Sequence, residues 1–398
     1  MSMVRSDLDF YNFMNDEGIS HTSIFNNVIS SCRKSDVGLL GILTNPNRYA
    51  WGNAPLYEKY LRALARQYNR QIDYWEVFNE VNLFRGVDKL PQRYAEALQT
   101  TYKILKSENP DNKVVLTGMA EVHNSFLDDI CKEGAHKYFD IMNFHSYLEP
   151  EQLIPSFHKI KEVMDRYGWH KPVWLTECGM HTAQDDNPHE GFYTDLLETE
   201  QARRVARIYL LAWAHGVNKV FWYNLCASEN DKTEKEDNFG LLHRDLSPKP
   251  SYVAYQTLTR FCPDGSTRPV LVRNNDIYQA RWTRPDGSRI YAAWCSSGRR
   301  EIRHDLSPKA KWYDYLGREI KVGKSLTLTT SVVYGVENAN QHWKNVKVES
   351  TIEGVQPMTG LVLWPYLHNK YFYYLHLSTL TLCGRKPHNT IQQCESGV

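Results

Sequence analysis

The stretch Tyr74-Trp75-Glu76-Val77-Phe78-Asn79-Glu80-Val81-Asn82 decides how this chain is read. Residues 72–78 are a run of strand length, mostly apolar, that ends in an amide and a carboxylate side by side. At the C-terminal end of a barrel strand, Asn79 and Glu80 would stand where parallel α/β barrels gather their reactive groups. One carboxylate alone carries little chemistry, so the remaining chain is tested by whether it supplies a second. It does so in Trp174-Leu175-Thr176-Glu177-Cys178-Gly179, another such run with a carboxylate at its end.

Outward from Glu80, strand-like and helical segments alternate, as parallel α/β folds require. Upstream lie a short strand at 3–7, a helix over 23–34 and a strand over 37–43, closed by the turn Asn45-Pro46-Asn47. Pro55 then opens a helix whose Leu56, Tyr60, Leu61, Leu64 and Tyr68 recur at helical spacing. Downstream come strands over 113–118, 139–145, 172–177 and 219–223. Helices over 91–106, 125–132, 150–167, 198–215 and 250–261 separate and follow them. The count is seven strands, one short of a (β/α)8 barrel. The expectation is therefore a TIM-type barrel over 1–262 that begins at its second strand and lacks the first.

After Cys262-Pro263-Asp264-Gly265 the period changes to two. Residues 277–282, 290–294, 311–315 and 326–333 read as short strands, the first two joined by the turn Pro285-Asp286-Gly287. This is a small antiparallel, β-sandwich-like domain over 263–340. Residues 341–398 lack clean periodicity and are left as an unassigned tail.

Composition narrows the function. The 398 residues carry 47 basic and 46 acidic side chains, a net charge of +1. That gives no electrostatic case for nucleic acid or an anionic membrane, and no apolar run reaches the length of a membrane span. Aromatic residues make up 13% of the chain, including 11 Trp and 25 Tyr. Such rings serve equally as stacking platforms for sugars or as core. The 8 cysteines form no CxxC pair, which weakens zinc and thioredoxin-like readings; only Cys383 and Cys394 are placed to pair. No cofactor is implied.

Strand ends offer Arg5, Asn79, Glu80, His145, Tyr147, Glu177 and Trp222 to one crevice. Two carboxylates across a sugar-sized gap are the minimum for glycoside hydrolysis, one protonated to assist the leaving group and one ionised. Unpaired carboxylates are costly at buried strand ends, which favours function for Glu80 and Glu177. Asn79 either caps the next helix or hydrogen-bonds a sugar hydroxyl. Arg5 is either an ordinary ion-pair partner or a cation that holds a neighbouring nucleophile ionised. His145 either supports the carboxylates or is a satisfied core histidine, and Trp222 is a stacking floor or plain core. Glu76 shares the facing parity of Glu80 but lies deeper, so its role there is structural. The histidines His145, His181 and His243 show no HxH or HExxH spacing, so a metal-dependent hydrolase is the weaker reading.

These residues carry a resemblance. Trp75 through Asn82 is similar to the Asn-Glu acid/base motif of clan A glycoside hydrolases, and Leu175-Thr176-Glu177-Cys178-Gly179 to their nucleophile strand. Met142-Asn143-Phe144-His145-Ser146-Tyr147 resembles the sixth-strand His-x-Tyr of family 39 and its relatives. Val4-Arg5-Ser6-Asp7 is similar to the second-strand arginine near the nucleophile. Phe239-Gly240-Leu241 with Lys249-Pro250-Ser251-Tyr252 resembles the segment leading to the last helix. The resemblance covers about residues 3–262 and implies a retaining β-glycosidase acting on oligo- or polysaccharide, without metal or other cofactor. Glu80 would be the acid/base and Glu177 the nucleophile, with Arg5, Asn79, His145, Tyr147 and Trp222 binding substrate. It also fits a β-sandwich after the barrel. Cys178 departs from the usual nucleophile strand and leaves the family open. The reading from a different class is a carbohydrate-binding barrel without turnover. The first residues hold no apolar segment of a secretory signal, although enzymes of this kind are commonly exported.

Overall fold

The computed structural model describes residues 3–8, 23–44, 54–122, 125–184, 193–304, 306, 308–338 and 362–364. Parallel strands run in the order β1 (Met3–Asp7), β2 (Gly38–Leu43), β3 (Tyr74–Val77) and β4 (Lys113–Val115). A second parallel set joins β5 (Met119–Ala120), β6 (Met142–Ser146), β7 (Val173–Cys178) and β8 (Val217–Tyr223). Backbone bridges Val115↔Ile141 and Asn79↔Gly118 tie the two sets together across β4 and β5. Helices α1 (Ser23–Lys34), α2 (Ala54–Gln67), α3 (Leu90–Glu108), α4 (Phe126–Lys132), α5 (Leu153–Tyr167), α6 (Tyr193–Ala214) and α7 (Pro250–Phe261) alternate with the strands. This is the TIM-type barrel architecture expected from the alternation.

The expected gap ahead of β1 is taken up from far along the chain. Strand β17 (Val362–Trp364) pairs in parallel with β8, in the register Val362↔Phe221, Leu363↔Trp222 and Trp364↔Tyr223, and lies against β1. Among the described residues β17 and β1 share no ladder. The place of a first strand is thus filled by a segment from the stretch that sequence reading left unassigned.

The barrel interior is layered by the period of two along each strand. Met3, Leu40, Val115, Ile141, Trp174 and Phe221, with Tyr74, form a closed apolar layer. Two residues further along the same strands come Arg5, Ile42, Glu76, Asn143, Thr176 and Tyr223, and His145 stands beyond Asn143 on β6. The apolar layer is the floor on which this polar layer stands.

The antiparallel part follows α7. Strands β9 (Val270–Asn274), β10 (Ile277–Thr283), β11 (Arg289–Cys295), β13 (Lys311–Tyr313), β14 (Glu319–Ile320) and β16 (Val333–Glu337) form a sheet in the order β14-β13-β16-β11-β10-β9. β12 (Arg300–Arg303) pairs with β15 (Ser325–Leu328). Tyr291, Ala293, Cys295, Leu306, Trp312, Leu326, Leu328 and Val333 pack between the two sheets, as in a small sandwich. The turn expected at Pro285-Asp286-Gly287 joins β10 to β11, with Thr283 opposite Arg289. The expected strand over 326–333 is instead two strands, β15 and β16. The other face of the large sheet, including Trp282, Trp294 and Tyr334, belongs to the same core as the barrel helices. The pairing expected of Cys383 and Cys394 lies outside the described residues.

Candidate active site

Arg5 is the hub. It is fully buried and its guanidinium reaches three side chains at once. Nε donates to Glu76 Oε2 at 2.6 Å and Nη2 to Glu76 Oε1 at 2.7 Å, a fork-on-fork pair. Nη1 donates to Glu177 Oε1 at 2.7 Å, and Nη2 also to Asn79 Oδ1 at 2.7 Å. Glu76, also fully buried, accepts the Gly118 N–H at 3.0 Å as well. Sequence reading left Glu76 as structural; the geometry makes it the anchor that aims Arg5 at Glu177. Arg5 itself, expected against substrate, spends these donors on protein acceptors.

Glu177 sits where the strand parity breaks. On β7, Trp174 faces the interior and Leu175 the helices, so Thr176 faces inward and Glu177 should face outward. The register shifts between Phe144 and His145 on the β6 side, and between Leu175 and Cys178 on the β8 side. Such a bulge re-aims a side chain. Here Thr176 and Glu177 both reach the interior, and Cys178 is the residue packed outward. Besides Arg5, Glu177 accepts the Tyr147 hydroxyl at 2.7 Å on Oε2.

Glu80 lies beyond the end of β3, where Phe78 (φ 66°) and Glu80 (φ 47°) adopt left-handed backbone. For non-glycine residues this costs of order 1–3 kcal/mol each, a cost found mostly where geometry serves a site. The turn brings Glu80 Oε1 to 2.9 Å from His145 Nδ1. Glu80 Oε, Glu177 Oε and the His145 ring nitrogen each offer an atom within 4.8 Å of the others. His145 is buried and neutral, pushed down to about 4 by burial. Burial also raises Glu80, opposed by the charge of Arg5. Burial raises Glu177 too, with the charge of Glu80 on the same side and the charge of Arg5 and the Tyr147 hydrogen bond opposing it. With Arg5 and Tyr147 donating to it, Glu177 is the better supported as the anion of the pair.

The remaining candidates divide. Asn79 caps no helix through its side chain; its Oδ1 is taken by Arg5. Tyr147 leaves 36% of its surface open while its hydroxyl meets Glu177, and its ring packs edge-on with Tyr223 and Phe239. Trp222 does not join the site. It is fully buried among the helix-facing core residues, because on β8 the inward positions are Phe221 and Tyr223. The aromatic at the crevice is therefore Tyr223, one residue on. Sequence reading also missed Glu121, whose Oε1 accepts the Tyr147 N–H at 3.0 Å and the Ser146 hydroxyl at 2.8 Å. No motif marks it, since it follows β5 in a turn of its own.

Among the described residues, Glu80, His145 and Glu177 are the set that could converge on a metal ion. The Arg5 guanidinium also lies against Glu177 there.

A barrel with two carboxylates, a buried arginine and a buried histidine at its strand ends has the groups that glycoside cleavage requires. A family model described as the glycosyl hydrolase catalytic core matches residues 46–245, and the chain belongs to that family. It is a glycoside hydrolase. No curated protein matches its sequence. Among solved structures it is similar to a family 39 glycoside hydrolase from the gut symbiont Bacteroides cellulosilyticus WH2. The TM-score is 0.69 at 20% identity, over 84% of this chain and 75% of that one. It is also similar to a glucosidase from Croceicoccus marinus (TM-score 0.59, 13% identity, 84% and 89% covered). A third likeness is to a family 39 β-xylosidase from Caulobacter crescentus (0.54, 14%, 85% and 95%). The fold is that of family 39 enzymes, as the sequence motifs implied.

Proposed function

We propose that this glycoside hydrolase is a retaining β-glycosidase that works by double displacement on oligo- or polysaccharide. Glu177 is the nucleophile and Glu80 the acid/base. The observation that carries the proposal is the closeness of the two carboxylates, with oxygens within 4.8 Å. Retaining enzymes hold the two groups about 5–5.5 Å apart, whereas inverting ones need about 6.5–9.5 Å to fit a water between.

In the first step Glu80 gives its proton to the glycosidic oxygen while Glu177 attacks the anomeric carbon. The Arg5 and Tyr147 donors hold Glu177 ionised for that attack. In the second step Glu80, now a carboxylate, takes a proton from the water that opens the glycosyl–Glu177 ester. Asn79, Tyr147 and Tyr223 face the sugar in this reading, while Arg5 acts through Glu177.

Aryl β-glucosides and β-xylosides form the first test panel, since two solved structures of like fold are named a glucosidase and a β-xylosidase. Glu177→Ala is expected to abolish measurable turnover of an activated aryl glycoside, since the covalent intermediate can no longer form. Glu80→Ala should retain the glycosylation step on such a substrate and recover with azide, giving a β-configured glycosyl azide. Unchanged activity in either variant, or an α-configured azide product, would overturn the assignment.

A further inference from the structure

The contacts behind His145 determine where its single proton sits. Thr176 Oγ1 lies 2.7 Å from Asn143 Oδ1, within a buried pair. With the Asn143 amide turned so that Oδ1 meets Thr176 and Nδ2 is left without a partner, the one hydroxyl proton is spent on that oxygen, which can only accept. The same Oγ1 lies 3.1 Å from His145 Nε2 and has only lone pairs left to offer. A hydrogen bond there requires the imidazole proton on Nε2. The ring is neutral and carries one proton, so Nδ1 is a lone pair facing Glu80 Oε1 at 2.9 Å.

We propose that Asn143 and Thr176 lock His145 in its Nε2–H form, so that Nδ1 holds Glu80 protonated before each turnover. The groups around the pair agree. Glu76 and Glu177 share the one guanidinium of Arg5, so a third ionised carboxyl at Glu80 would stand without a compensating cation. Glu177 Oε1 lies 3.5 Å from Nδ1, but it already accepts from Arg5. Tyr147 donates to Glu177, and Glu121 is engaged with Ser146 and the Tyr147 N–H. Gly118 presses on the ring edge, where a Cβ would come within 1.9 Å of Nε2. The ring edge is therefore packed directly against the Gly118 backbone.

The inference rests on Glu80 being the acid/base, and gives that role a mechanism. When Glu80 passes its proton to the glycosidic oxygen, its new carboxylate faces the Nδ1 lone pair. That unfavourable pairing ends when Glu80 takes a proton from the attacking water. His145 loses and gains no proton at any step; it is a positioning residue.

The test has two independent arms. In the full chain labelled with 15N-histidine, with His145→Asn used to assign the signals, the expected His145 state is a protonated Nε2 and a bare Nδ1. A protonated Nδ1 in the wild type overturns the proposal whatever the enzyme does. Thr176→Val keeps the shape and removes the acceptor. The proton should move to Nδ1, and the basic limb of kcat/KM should fall by about one pH unit, because Nδ1–H then favours the Glu80 carboxylate. Asn143→Leu should act in the same direction, by freeing the Thr176 proton for Nε2, and Thr176→Ser should restore the wild-type profile. An unmoved tautomer in Thr176→Val overturns the proposal. A tautomer that switches while the basic limb stays put upholds the tautomer lock and strikes instead at Glu80 as the acid/base.

Discussion

Glu76 illustrates how little a residue's identity says about its work until its neighbours are known. It lies four residues before the catalytic candidate Glu80 and is the same residue type, yet it is fully buried within β3 and faces no sugar. Its two oxygens take two of the guanidinium N–H groups of Arg5, and the arginine's remaining reach then falls on Asn79 and Glu177. Removing one partner of a buried, hydrogen-bonded ion pair leaves the other charge uncompensated, which costs about 3–5 kcal/mol. Glu76→Gln keeps the shape and one acceptor, so the expected loss in unfolding free energy is at the lower end, about 3 kcal/mol. Urea unfolding measures it. The same variant should raise the acidic limb of kcat/KM, since an arginine no longer aimed at Glu177 supports its anion less. Wild-type stability together with a wild-type acidic limb would show that Glu76 does not anchor Arg5.

At the scale of elements, the site depends on departures from regular strands. Two left-handed residues end β3 and swing Glu80 toward β6, and the bulge in β7 turns Glu177 inward against its parity. Sequence reading found both carboxylates because each closes an apolar run, a signal that survives any local backbone detail. It misplaced Trp222 because it did not count parity from Phe221, and no bulge intervenes on β8 between Phe221 and Tyr223 to rescue it. It left Thr176 and Asn143 unread because their function exists only across a strand pair, in a register set by the bulge itself. Gly118 belongs to the same class. A close approach there demands glycine, since a Cβ would meet the His145 ring at 1.9 to 2.6 Å. Gly118→Ala should therefore push His145 away from Glu80. A misplacement of about 1 Å in a catalytic constellation costs about 10²-fold, and kcat/KM on an aryl glycoside is expected to fall by that much. Near-normal kcat/KM in Gly118→Ala would mean that the His145–Glu80 contact does not matter to turnover.

For the whole molecule, the alternation of strands and helices was legible between Met3 and Phe261 because the helices carry apolar stripes and most of the strands, though not β1 with its Arg5-Ser6-Asp7, carry apolar runs. What could not be read was β17, three residues with no period long enough to announce a strand. Its identity comes entirely from its place beside β8. Without it, the outer edge of β8 would present unpaired N–H and C=O groups next to the wall that carries Tyr223, and such an edge invites pairing with other chains. Leu363 lies opposite Trp222 in the ladder, so Leu363→Pro removes a donor from the strand and clashes with regular pairing. The expected outcome is a loss of about 1–3 kcal/mol in unfolding free energy, the cost of the backbone acceptor left unpaired, with concentration-dependent aggregation on heating. A chain ended at residue 338 should behave in the same way or worse. Urea unfolding with light scattering checks both. If each variant unfolds at the wild-type midpoint, stays monodisperse and keeps full activity, the barrel holds its site without a strand in the first position, and the layers built on β1 and β8 are stable by helix packing alone.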